Sequence, residues 1–253
     1  MESAPELSKP AFQAILWAAN ILALLPMLAG TGLAQSESPK PPAVNEETSH
    51  VRLVLAGWSE EVPGDGLRYW RDAEGDVLSL GVVPKKQAYP FTSSEAEQRK
   101  WCRSAAENRN AGLIEVRTMP STTEPSASFI YKKLQMPAYR YIGQLVTRVH
   151  GASVVWTVVA EEHGTTGVRE AVVTANLMSR GKLTLDGYEQ SWAQDPYDPA
   201  YHGVDRSVLR FMSDDESYDA QFPKHPLSRV RRVLASLPDA VEYDFGTDRK
   251  KVN

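Results

Sequence analysis

The sequence predicts an α+β fold, a single domain in which an antiparallel β-sheet with a central three-stranded meander is flanked by helices. Three observations carry that prediction. The first is alternation in the stretch from Tyr139 to Met178. Tyr139, Tyr141, Leu145 and Val149 fall on one face of an extended chain, and Arg140, Gln144 and Arg148 fall on the other, with Ile142 and Val146 between them. A period of two marks a half-buried strand. The second is the pair of short glycine-containing turns, His150-Gly151-Ala152 and His163-Gly164-Thr165-Thr166-Gly167, which suit antiparallel neighbours. The third is a pair of apolar stripes at helical spacing, around Trp101–Ala106 and Leu227–Leu237.

The meander is expected to hold three strands. Ser153 to Glu162 is rich in β-branched residues and apolar on both faces, so it reads as central. Val168 to Met178 alternates Ala171, Val173, Ala175 and Leu177 against Glu170, Thr174 and Asn176, and reads as the third strand. Earlier in the chain, Val51 to Gly57 reads as a strand and Glu60 to Gly66 as a loop. Residues Leu67 to Val82 read as a hairpin around an Asp- and Gly-rich turn. Thr92 with Glu95, or Ser94 with Glu97, has capping-box spacing for a helix running to about Asn108. Gly112 is expected as its left-handed cap. Leu113–Thr118 and Phe129–Leu134 read as strands. Ser213 and Glu216 suggest a short capped helix, and His225-Pro226 opens a last helix that Pro238 is expected to end.

The chain has 253 residues and a net charge of −4, with 28 basic and 32 acidic residues. No basic stripe points to nucleic acid. Ala14 to Leu28 is an apolar run followed by Gly32-Leu33-Ala34, the pattern of a secretory signal cut before Gln35. That predicts a signal peptide or uncleaved anchor over 1–34, a linker over 35–50, one domain over 51–238 and a polar tail over 239–253. The protein is then expected to be exported, periplasmic or extracellular, with a membrane-anchored form if the run stays in place.

Cys102 is the only cysteine, so neither an internal disulfide nor a thiolate metal cluster can form within one chain. It reads as a small apolar residue on the inner face of the first helix. The sequence has no Gly-x-Ser-x-Gly elbow, no His-Glu-x-x-His and no phosphate loop. No catalytic set, metal site or cofactor is therefore assigned. The catalytic candidates are His202, Asp205, Asp214 and Asp215, in a stretch dense in polar and aromatic residues. The acids Asp214, Asp215, Glu216 and Asp219, near His202 and His225, read as first-turn helix acids rather than as ion ligands. The residues proposed for partner binding are Tyr188, Trp192, Tyr197 and Tyr201 in a long loop, and Arg231 in the last helix. Arg229, Arg231 and Arg232 are read together as a solvated face.

The element order over Val51 to Leu237 resembles the PsbP-like fold: strand, hairpin, helix, antiparallel run and C-terminal helix. The resemblance implies an antiparallel sheet flanked by helices and a non-enzymatic assembly or binding role, and it assigns no functional residue. The reading is of an envelope protein that binds a protein or small-molecule partner without catalysis, the alternative being an exported hydrolase centred on His202.

Overall fold

The computed structural model describes residues 51–61, 68–83, 89–91, 93–119, 125–136, 138–149 and 152–243. The expected signal segment, the linker, His150 and the last ten residues of the tail lie outside them.

The described strands form a seven-stranded sheet in the order β2-β3-β4-β8-β7-β6-β5, with every neighbouring pair antiparallel. Its members are β2 (Trp58–Glu61), β3 (Arg68–Asp72), β4 (Val77–Val83), β5 (Gly112–Met119), β6 (Ser126–Gln135), β7 (Ala138–Val149) and β8 (Ala152–Glu161). A central three-stranded meander is present as β6-β7-β8. The chain from Val168 to Ser179 is not its third strand. It is helix α2. Its alternating apolar residues also carry a helical stripe, and Arg169, Val173 and Leu177, four residues apart, are the ones buried. Ala, Glu, Leu and Met in this stretch favour the helix, and the strand that completes the meander comes from upstream.

Two helices cover the two faces. α1 (Glu95–Glu107) starts at Ser94, whose side chain and that of Glu97 close the expected capping box. Cys102, Ala105 and Ala106 face inward from it. Cys102 and Ala106 pack with Tyr89, Leu113, Phe129, Tyr131, Val146 and Val155 in the core on that side of the sheet. Asn110, not Gly112, takes positive φ after α1 (51°). Gly112 already belongs to β5, and a Cβ there would collide with the Val208 carbonyl.

On the opposite face lies α4 (Pro226–Ala240), capped by His225 and started by Pro226 as expected. Leu227, Val230, Val233, Leu234 and Leu237 meet Leu78, Leu145, Trp156 and Val158. The helix comes so close to β7 that a Cβ on Gly143 would lie 2.5 Å from Val230 Cγ1 and 2.8 Å from Leu234 Cδ1. Pro238 does not end α4, which runs on to Ala240. Proline within the last turn removes few helical bonds. The chain beyond is not simply a fraying tail either: β11 (Val241–Tyr243) pairs antiparallel with β1 (Val51–Leu53).

Between α2 and α4 the chain folds as α3 (Leu185–Ser191), a two-residue pair of β9 (Ala193–Gln194) with β10 (Arg210–Phe211), and three short 3-10 turns. The helix expected to open at Ser213 is two of these turns, Met212–Asp214 and Glu216–Tyr218, and Asp215 caps the second. Ser213 is buried and caps neither.

Candidate functional site

Two places gather chemistry. The first is the loop between α3 and β10. Asp195, 3% exposed, fixes it. Its carboxylate accepts from Arg103 Nε (2.9 Å) and Nη2 (2.7 Å) of α1, and from the backbone N–H of Tyr197 and Asp198. Bidentate pairs of this kind are strong and directional. Tyr197 then turns its hydroxyl to the edge of β5, accepting from Val116 N (2.7 Å) and donating to Val116 O (3.2 Å). The guanidiniums of Arg99 and Arg103 sit over the rings of Tyr197 and Tyr201, 4.3 and 4.9 Å from their centroids. Trp192 is buried and stacks between Tyr188 and Phe211. The aromatic residues read as partner contacts thus also tether the loop and protect an edge strand from pairing with another chain.

The tethered loop borders a cleft of about 230 Å³. Buried Ala193 and Leu209, Pro199, half-buried Tyr201, and exposed His202 and Arg206 line it.

The structure does not bring the four catalytic candidates together. His202 is exposed at the cleft, and Asp205 caps the 3-10 turn Arg206–Val208 through Ser207 N. Asp215 caps Ser217 N and pairs with Arg210. Asp214 is fully buried elsewhere. The arginines of α4 are not a uniform solvated face. Arg229 is buried in a bidentate pair with Asp76 (2.7 Å to each oxygen). Arg231 is 9% exposed and bonds Glu115, Asp219 and the Asp214 carbonyl. The apolar stripe predicted the inner face of this helix, but it gave no sign that acids from the β3–β4 turn, β5 and the 3-10 region would meet its flanks. Cys102 is buried as expected, and burial pushes its thiol up to about 12.

The second place is a buried ionic cluster where β6, β7, α2, α4 and the 3-10 turns meet. Lys132 Nζ donates to Asp214 Oδ2 at 2.7 Å, with both side chains 0% exposed. Asp214 also accepts from Phe211 N (2.7 Å) and Tyr141 Oη (3.3 Å). Burial pushes the Asp214 carboxyl up, but Lys132 and the Phe211 N–H outweigh it and hold the group below the usual range. Burial holds Lys132 below the usual lysine range despite Asp214. Arg169, fully buried, donates to the carbonyls of Ser213 and Asp215, to Asp219 and to Ser228.

Beside this network lie Glu162, Glu170 and His225, whose ligand atoms fall within 4.8 Å of one another. His225 Nδ1 accepts from Leu227 N (3.3 Å), and Glu162 Oε1 accepts from Gly167 N (3.1 Å). Burial, then Arg169, pushes the imidazole down to about 3. Burial pushes Glu170 up. Sequence reasoning missed this trio. It had Glu162 ending one strand and Glu170 on the next, and only the helical course of α2 turns Glu170 back toward His225.

No protein-family model matches the chain, and no curated protein is similar to it in sequence. Among solved structures it is similar to the Saccharomyces cerevisiae Ran-binding protein Mog1p, at 10% identity and TM-score 0.39, over 79% of this chain and 93% of that one. A mutant of Mog1 gives 9% identity and TM-score 0.37, over 79% and 94%. At these scores the likeness carries no functional conclusion.

Two expectations are withdrawn at this point. The similar structures are of Mog1 and not of the PsbP-like fold, which element order alone had suggested. That order had also counted α2 as a strand. The periplasmic, extracellular and membrane-anchored readings are withdrawn as well: the segment they rest on lies outside the described residues, and the similar structures, of a Ran-binding protein, lend them no support. Among the described residues no helix is long and apolar enough to cross a membrane.

Proposed function

We propose that the chain is a non-catalytic binding domain with a protein partner, and that the cleft beside the loop takes an acidic side chain of that partner. The observation that carries this reading is the cleft itself. At about 230 Å³ it is smaller than the roughly 300–1,000 Å³ of most small-molecule sites, and it fits one side chain better than a cofactor. Its walls are held by the Arg103–Asp195 pair and the Tyr197 hydroxyl, so little ordering cost falls on binding. Its exposed polar groups, Gln194, His202 and Arg206, can donate hydrogen bonds, and Arg206 carries a fixed positive charge suited to a carboxylate. Mog1p is a Ran-binding protein; the present reading rests on the cleft and not on that likeness.

The test is a screen of an immobilised peptide library with the full chain, the wild type beside Arg206→Ala and His202→Ala. Peptides with acidic residues are expected to be retained, and the Arg206→Ala chain should lose them without a change in melting temperature. Retention of basic or neutral peptides, or retention indifferent to both substitutions, overturns the reading.

A further inference from the structure

Glu162, Glu170 and His225 come from three elements: the loop after β8, the first turn of α2 and the N-cap of α4. His225 Nε2 lies 3.7 Å from Glu162 Oε1 and 3.7 Å from Glu170 Oε1. No hydrogen bond reaches that nitrogen or either oxygen of Glu170, and all three atoms are shut off from solvent. The side chains of His225, Glu162 and Glu170 are 6, 7 and 15% exposed. Buried polar atoms are nearly always satisfied, and two carboxylates side by side in a poorly hydrated place disfavour each other's charge. Something that accepts electron pairs from all three side chains would resolve both problems at once.

We propose that Glu162, Glu170 and His225 form a binding site for one divalent transition-metal cation of the zinc type. Ligand atoms about 2.0–2.2 Å from a tetrahedral zinc stand about 3.4 Å apart, so the two 3.7 Å His–Glu spacings need to contract by a few tenths of an ångström, while the two glutamates, within 4.8 Å of each other, close by up to about 1.4 Å. An imidazole among the donors favours zinc over magnesium and calcium, which take oxygen. The charge also balances. The basic groups around the trio are already engaged: Lys132 with Asp214, Arg169 with Asp219 and Ser228, and Arg229 with Asp76. A cation of charge two offsets the two glutamates.

The ring chemistry is compatible. His225 is held neutral, the form that binds metal. Because Nδ1 accepts from Leu227 N, the ring proton of the metal-free protein sits on Nε2. Ligation through Nε2 shifts that proton to Nδ1 by exchange with solvent, so zinc displaces the long bond from Leu227 and the ring releases no net proton. Glu170, where it is protonated, gives up its proton on binding.

The experiment uses the full chain freed of metal with a chelator. Zinc alone is titrated in a calorimeter and followed by thermal melting, and cobalt replaces it for visible absorption. One zinc per chain is expected, with a raised melting temperature and the intense visible bands of tetrahedral cobalt. Glu170→Gln removes a ligand charge where no hydrogen bond is lost, so the metal-free protein should melt as the wild type does. Its zinc affinity should fall by about 100-fold or more, at least the top of the range for disturbing a ligand's support. Glu162→Gln, which keeps an acceptor for Gly167 N, should behave the same way. Absence of stoichiometric zinc binding by the wild type, binding that Glu170→Gln leaves intact, or calcium binding as tight as zinc each overturns the proposal.

Discussion

The buried charges are where single substitutions should cost the most. Lys132 and Asp214 are 0% exposed, and each is the other's main counter-charge. Lys132→Met therefore leaves a buried carboxylate unpaired, and a loss of about 3–5 kcal/mol is expected in denaturant unfolding. Adding Asp214→Asn removes the charge and still offers an acceptor to Phe211 N, so the double variant should recover a large part of that loss. If the double variant is as unstable as the single one, the cost lies in packing against Phe211, whose ring centroid is 3.0 Å from Lys132 Nζ, and not in the charge. His225 gives the pH dependence. Its folded pKa is lowered from 6.5 to about 3, by burial first and then by Arg169. A lowered histidine adds no instability above pH 6.5, and stability is lost as pH falls from there toward 3 because only the unfolded chain takes the proton. Between pH 7.5 and 5 the loss is about 2 kcal/mol. Glu170, raised by burial, has the opposite slope, and Glu162, Asp214, Arg169, Lys132 and Arg229 face the same ring. Comparison with His225→Asn, a good N-cap, isolates the histidine. In metal-free buffer the variant should lose about 2 kcal/mol less than the wild type over that range, and equal losses would place the titration elsewhere.

At the scale of elements, what the sequence made legible is what local chemistry decides. The capping box at Ser94 and Glu97, the Asp-Gly turn of the β3–β4 hairpin, and the stripe of α4 each depend on residues within a turn or two of one another. α2 was not legible because its twelve residues satisfy both periods. Ala171, Val173, Ala175 and Leu177 alternate, while Arg169, Val173 and Leu177 make one helical face, and the surroundings of Arg169 add to local propensity in favouring the helix. Those surroundings are the carbonyls of Ser213 and Asp215 with Asp219 and Ser228, more than forty residues further along the chain. The same distance hides the candidate sites. Glu162 and Glu170 are eight residues apart, but His225 reaches them only because α4 crosses β7 and β8 with Gly143 at the closest approach. The aromatic loop was legible as a feature and not as a geometry. Its rings were visible in the sequence, while the Arg103–Asp195 pair that holds them spans 92 residues.

For the molecule as a whole, the ends of the described domain hold each other. β1 and β11 pair Val51 with Tyr243, Arg52 with Glu242 and Leu53 with Val241, and Val54 N donates to Ala240 O at 2.8 Å. This small sheet extends the core under α4. Val51, 2% exposed, belongs to that core, Leu53, Val241 and Tyr243 pack against it, and Trp156 Nε1 donates to Tyr243 Oη at 3.4 Å. The sequence had put the domain boundary at 238, just before the residues that close it. A chain ending at Pro238 keeps nearly all of α4 and all seven strands of the main sheet, so it should still fold. It loses the partner of β1 and uncovers apolar surface around Val51 and Trp156. At about 25 cal/mol per Å², every 100 Å² of apolar area so exposed costs about 2.5 kcal/mol. Urea unfolding of the shortened and full chains should therefore show a lower midpoint for the former, with β1 losing amide protection before the central strands. An unchanged midpoint would mean that β1 and β11 contribute no net stability, and that the domain is already complete at the end of α4.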